Sequence, residues 1–153
     1  MGMHSLTTGL LNNNHQVKVI AFNSYKHPCK VSSLPKDYVE KTNFETIFVD
    51  LKPRFWGALK CLITNKSYIA ERFVNNDMKI CLENLLMKEE FDLVQLESIF
   101  LAPYIPIIRK YSKAKLVLRA PNIEHLIWKR TAEATKNPIK KFYLGHLAST
   151  LES

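Results

Sequence analysis

The sequence predicts an α/β fold in which a parallel sheet is covered by helices on both faces. Three observations carry this. Short β-branched runs alternate along the chain with longer stretches of helical period, the pattern of successive βα units. Asn stands at two of the helix starts, Asn122 and Asn137, the second followed by Pro138, where a side-chain cap and a preset φ are favoured. The chain has 153 residues, 46% hydrophobic and 24% charged, enough for one domain with a real core and ordinary for a folded one.

Met3, Leu6, Leu10 and Leu11 recur at helical spacing after Gly2, and Asn12, Asn13 and Asn14 mark the helix end. Val17 to Phe22 is a β-branched run that reads as a buried strand. Residues 23–43 are polar, contain Pro28 and Pro35, and read mostly as loop. Thr46 to Val49 is the second strand. Pro53 opens a helix with Phe55, Ala58, Leu59 and Leu62 on one face. Met78, Cys81, Leu82, Leu85 and Leu86 trace the clearest amphipathic helix. Phe91 to Leu96 is the third strand, and a helix follows around Leu101 to Tyr111. Pro103 and Pro106 must lie near its first turn, because Pro inside a helix costs about 3 kcal/mol. Lys115 to Arg119 is the fourth strand. One helix starts after Asn122 and another at Asn137-Pro138, with Ile139, Phe142, Tyr143, Leu147 and Leu151 as the latter's apolar stripe.

A parallel sheet takes ligands at the carboxyl ends of its strands, so function is expected just after Phe22, Leu51, Leu96 and Arg119. The first helix is preceded only by Met1 and Gly2. In a doubly wound sheet, a Gly before a helix usually follows the central strand. The expectation is that the first, central strand is missing, with a fold that simply starts on a helix as the alternative. A missing central strand leaves unpaired edges, and these invite self-association.

Lys and Arg number 22 against 14 Asp and Glu, a formal net charge of +8. That balance favours an anionic partner such as nucleic acid, a phosphate-bearing substrate or a membrane surface, or it is a solvated basic surface. Cys29, Cys61 and Cys81 are odd in number and far apart, which fits neither a disulfide framework nor a zinc site, and a reducing cytoplasm is expected. No metal and no cofactor are expected. No run approaches the roughly 18–20 apolar residues that span a bilayer, and no signal peptide is read.

Three segments carry a resemblance. Leu10-Leu11-Asn12-Asn13-Asn14-His15-Gln16-Val17-Lys18-Val19 is similar to the opening of family 4 glycosyltransferases, where a "GH-x-V" turn leads into the second strand. Asn14 stands for the Gly, a mild swap in a left-handed turn. Phe91-Asp92-Leu93-Val94-Gln95-Leu96-Glu97 resembles that family's "fDvvhxE" strand. The most specific match runs from Leu118 to Arg130, LRAPNIEHLIWKR, and resembles the "RxHNvE-x-x-IW-x-R" segment of a bacterial subgroup; Lys136 to Tyr143 continues it as "KNPlKKxY".

The resemblance implies the Rossmann-like N-terminal domain of a two-domain, GT-B type, retaining glycosyltransferase. This domain holds the acceptor, a glycan or a lipid-linked acceptor in polysaccharide biosynthesis. The nucleotide-sugar belongs to a C-terminal domain that this chain does not contain, and no metal is obligatory. The chain is expected to be cut at both ends and inactive alone; whether it is itself an enzyme stays open.

The resemblance places Pro121 where the family has a strand-end His, so the catalytic group is unknown. His125, one turn further on, either substitutes for it or is an ordinary packing His at a helix start; the latter is preferred, because a favourable pKa cannot rescue wrong geometry. Glu97 either bonds acceptor hydroxyls or caps the following helix, where a carboxylate contributes roughly 0.3–1 kcal/mol. Arg119 is either a phosphate or carboxylate clamp or one half of an ion pair. Asn122 is a helix cap or a ligand. Gly2 would let helix-terminal N–H groups approach a ligand, and His4 stands near the family's acceptor loop or is solvated.

Lys129, Arg130, Lys136, Lys140 and Lys141 cluster near Trp128, Phe142 and Tyr143. The cluster is either an anionic-membrane patch at the inner membrane face or a solvated helix face. The aromatic side chains are expected in the core.

Two other classes compete. A nucleic-acid- or anionic-surface-binding module without catalysis is suggested by the charge, but the basic residues are spread and no helix-turn-helix, RNP or zinc pattern is present. Another doubly wound nucleotide-binding enzyme is opposed by the absence of G-x-G-x-x-G and of a P-loop.

Overall fold

The computed structural model describes residues 2–52, 68–120 and 122–152. The helix expected after Pro53, including Cys61, lies outside them, as does Pro121. The chain is α/β, and it divides into two compact units, Met1–Leu51 and Lys52–Ser153. Each unit holds one two-stranded parallel sheet.

The first unit runs α1 (Gly2–Asn12), β1 (Ile20–Asn23), a 3-10 turn (Val31–Ser33), α2 (Lys36–Lys41) and β2 (Glu45–Phe48). Residues 23–43 are thus more ordered than their polarity suggests. Both helices stop in the same way. Asn14 and Asn43 have φ of 61° and 42°, and each sits where a left-handed residue ends a helix. The His15 amide donates to Leu10 O at 3.1 Å and the Phe44 amide to Val39 O at 3.0 Å. Each strand entry is therefore set by an Asn. β1 and β2 pair in parallel with Ile20 opposite Glu45, so β1 starts three residues later than its β-branched run. Lys18 fixes this register, donating to Asn43 O at 2.8 Å and pairing with the Glu45 carboxylate. Thr42, fully buried, donates its hydroxyl to Tyr38 O at 2.7 Å; Ser24 and Val49 are also buried.

The second unit runs α3 (Tyr68–Arg72), α4 (Asn76–Lys88), β3 (Leu93–Leu96), a 3-10 turn (Ile99–Tyr104), α5 (Ile105–Tyr111), β4 (Lys115–Leu118), α6 (Glu124–Ala134) and α7 (Pro138–Glu152). The expected helix over 101–111 is split. Pro103 lies inside the 3-10 turn and Pro106 in the first turn of α5, where a missing N–H is harmless. β3 and β4 pair in parallel with Leu93 opposite Lys115. Met78, Leu86, Leu96, Tyr104, Ile108 and Ala114 form the buried core of this part.

Tyr104 ties three segments. Its hydroxyl donates to Phe73 O at 2.6 Å and accepts from the Asn75 amide at 2.8 Å. Asn75 in turn caps α4, its Oδ1 accepting from the Met78 amide at 3.1 Å. The rings of Phe73 and Phe100 stack at 5.2 Å beside this tie.

Helices α6 and α7 pack on each other through Ala132, Leu144, Leu147 and Ala148, all buried. This corrects the expected α7 stripe. Of Ile139, Phe142, Tyr143 and Leu147, only Leu147 is buried; Tyr143 is half-buried, Ile139 is 81% and Phe142 71% exposed. The helix is apolar on more than one side, and neighbours decide which side is covered. Asn137 caps α7 as expected, its Oδ1 accepting from the Lys140 amide at 3.1 Å. Asn122 does not cap α6; the cap position is Ile123, without a side-chain bond.

Two outcomes follow for unfolding measured by denaturant or heat. Leu144→Ala should cost about 2–5 kcal/mol as a core truncation, while Phe142→Ser should stay within about 0.5 kcal/mol. Tyr104→Phe should cost about 1–2 kcal/mol by orphaning the buried groups around Phe73 and Asn75. Burial holds the Tyr104 phenol above its ordinary value, opposed by the Asn75 backbone bond. The folded state therefore keeps that proton more tightly than the unfolded one. The stability this supplies is complete below the unfolded pKa near 10.0 and is lost as pH rises through the raised folded value. The stability gap between wild type and Tyr104→Phe should narrow above that pH.

Candidate functional site

Side chains alternate across a strand, and residues paired in register share a face. The register of β3 and β4 therefore puts Leu93 and Gln95 on the face of Lys115 and Val117, and continues to Glu97 and Arg119 just past the strand ends. The Arg119 amide still donates to Leu96 O at 2.8 Å, so the ladder holds position 119 against the start of the loop that carries Glu97.

There the two side chains meet. Arg119 Nη1 lies 3.3 Å from Glu97 Oε2, with side chains 38% and 20% exposed. The contact is an ion pair in distance but lacks hydrogen-bond geometry: Oε2 is buried and takes no hydrogen-bond donor among the described residues. Oε1 accepts from the Gln95 amide nitrogen. Half-exposed pairs of this kind contribute little to stability, about 0–1 kcal/mol. Their interest is chemical. A cation, an amide and a buried carboxylate oxygen without a hydrogen-bond donor among the described residues stand together at the carboxyl end of a parallel ladder.

Glu97 does not cap the following 3-10 turn. Ser98 does that, its hydroxyl accepting from the Phe100 amide at 3.3 Å. Arg119 proves to be half of an ion pair, the structural alternative of its reading. Gln95 was not singled out from the sequence, although its place two residues before Glu97 on a strand puts both on one face.

No hydrogen bond or ion pair joins Asn122 or His125 to this pair among the described residues. Asn122 is exposed beyond β4, and His125 is half-buried in the first turn of α6. Gly2 and His4 belong to the first unit. Gly2 opens α1. The His4 ring stacks on Tyr38 at 4.8 Å and lies 3.5 Å from the Thr8 hydroxyl, which is packing between α1 and α2. Pro121, which would sit at the family's catalytic position, lies outside the described residues.

Among the described residues there is no group of three His, Cys, Asp or Glu side chains able to hold a metal. No helix among them is long and apolar enough to cross a membrane. Cys29 and Cys81 are both half-buried.

No protein-family model, no curated protein and no solved structure matches the chain.

Proposed function

We propose that this chain is the acceptor-binding part of a glycosyltransferase of the GT-B type, with Glu97 contacting the acceptor and Arg119 holding its carboxylate in place. The observation that carries the reading is the Glu97 carboxylate. Its Oε2 is buried beside Arg119 and without a hydrogen-bond donor among the described residues. A hydroxyl is the donor that such an oxygen suits, and a glycan offers several in a row. Bonds to a charged acceptor contribute about 1.5–3 kcal/mol, more than the ion pair itself.

The strand pairings support the same reading. A doubly wound sheet has strand order 3-2-1-4-5, so its first strand lies between the second and the fourth. β1 with β2, and β3 with β4, are each a parallel pair of consecutive strands. Both kinds of pairing, strand two with three and four with five, occur in such a sheet. The segments that resemble the family also end at the pair: Glu97 closes the "fDvvhxE" match and Arg119 opens the match over 118–130.

In this reading Gln95 and Arg119 hold the Glu97 carboxylate in place, and the carboxylate accepts from an acceptor hydroxyl. In this reading the nucleotide-sugar is bound by a second domain. Self-association through open strand edges belongs to the same proposal.

The test is titration of the chain with a panel of neutral oligosaccharides followed by NMR. A dissociation constant on the order of 1 mM is expected for at least one of them, near −4 kcal/mol. Glu97→Gln should weaken that binding about tenfold or more, and Arg119→Lys less. If none of the panel shifts the Glu97 and Arg119 resonances, or if Glu97→Gln binds as wild type, the reading is wrong.

A further inference from the structure

We propose that β3 is the dimerisation edge of this chain: two copies join their β3 strands antiparallel, about a twofold axis at Gln95, into one four-stranded sheet. The dimer gives the self-association of the proposed function a definite partner and edge. It rests on that reading only to this extent, since no sugar is needed at Glu97.

The backbone bonds show which way each residue of the ladder points. The Lys115 amide donates to Asp92 O at 2.9 Å and the Arg119 amide to Leu96 O at 2.8 Å. With Leu93 in register with Lys115, the backbone groups of Val94 and Leu96 turn towards β4. Neighbouring residues of a strand direct their N–H and C=O groups to opposite sides. Leu93 and Gln95, and Glu97 just past the strand end, therefore face outwards. Among the described residues no third strand takes their bonds. Such a row is a template for another strand. Leu93 beside it is 46% exposed.

The sequence of β3 fits its own copy. With the axis at Gln95, the two Gln95 residues stand opposite each other, Leu93 opposite Glu97 of the second copy, and Val94 opposite Leu96. Directly opposite residues share a face of the sheet. Leu96 is buried and Val94 half-buried, so on the core side apolar meets apolar. On the other face each Glu97 stands between its own Arg119 and Leu93 of the second copy, and no like charges oppose. β4 has the other outer edge of this sheet, but there only Leu116 and Leu118 point outwards. The self-pairing that engages both sets Lys115 opposite Arg119 of the second copy on each side of the axis, and like charges directly opposite destabilise a sheet. Charge thus selects β3 over β4.

The experiment is sedimentation equilibrium of the full chain over about a hundredfold range of concentration, with amide hydrogen exchange read at both ends of the range. A rise in mass from one chain to two is expected, with added protection of the Leu93 and Gln95 amides and none of the Leu116 and Leu118 amides. Gln95→Pro removes an outward N–H and leaves the Val94 and Leu96 bonds to β4, a place where an edge strand tolerates Pro. It should weaken the dimer about thirtyfold, one bond being lost from each copy. Leu93→Glu sets two carboxylates opposite each other on each side of the axis and should weaken the dimer about tenfold. Leu118→Glu, on the edge of β4, should dimerise as wild type. Far-ultraviolet circular dichroism checks that each variant keeps its helices; should Gln95→Pro lose them, Leu93→Glu reads the same edge from an exposed position. The proposal is overturned by a chain that stays monomeric throughout the range, by a folded Leu93→Glu variant that dimerises as wild type, or by a dimer that Leu118→Glu disrupts. None of these readouts involves a sugar, so the acceptor reading stands or falls separately.

Discussion

Parallel pairing is the constraint on which the rest of this structure depends. Two antiparallel strands can be closed by a two-residue turn, but two parallel ones need the chain to travel back across the sheet. Between β1 and β2 that return is made by the 3-10 turn and α2; between β3 and β4 it is made by the second 3-10 turn and α5. The return also sets what the strand ends can do. Because both strands of a pair point the same way, their last residues emerge side by side. Glu97 and Arg119 are 22 positions apart in sequence and yet meet for this reason alone.

The sequence was most legible where one physical signal was strong. Met78 to Leu86 has unbroken helical periodicity, and α4 lies there with Met78 and Leu86 buried. Asn14 was read as a left-handed position from residue type, and its φ is 61°. Asn137 was read as a cap and accepts the expected bond. It failed where two signals compete. Pro103 and Pro106 were given one helix, but a second ring could not share the first turn, and the chain answered with a 3-10 segment. Asn122 has a capping side chain two residues before Glu124, one residue too early to serve. The α7 stripe was misjudged because Ile139, Phe142, Leu144, Leu147 and Ala148 surround much of the helix. Periodicity cannot say which part of a broad apolar surface a neighbour will cover.

The site was legible as residues rather than as a constellation. Glu97 and Arg119 could be placed at strand ends from pattern alone, but their contact depends on register, which no local signal states. Gln95 was overlooked because it lies within a strand, where a polar side chain among Leu93, Val94 and Leu96 reads as the solvent face. Gly2 and His4 were drawn in by resemblance; the His4 ring is spent on Tyr38. Phe142 reads as core from its place on the apolar stripe, and its 71% exposure depends on which way α7 is turned.

One bond described above has a dynamic meaning. The Tyr104 hydroxyl reaches the backbone on both sides of Val74, at Phe73 and at Asn75, from the end of a 3-10 turn. Neither partner can open without stripping the other of a buried polar contact. The end of α3, the start of α4 and the turn over 99–104 should therefore breathe as one cooperative element. Protection of the Asn75 amide against solvent exchange would report on a loop almost thirty residues away as much as on its own helix.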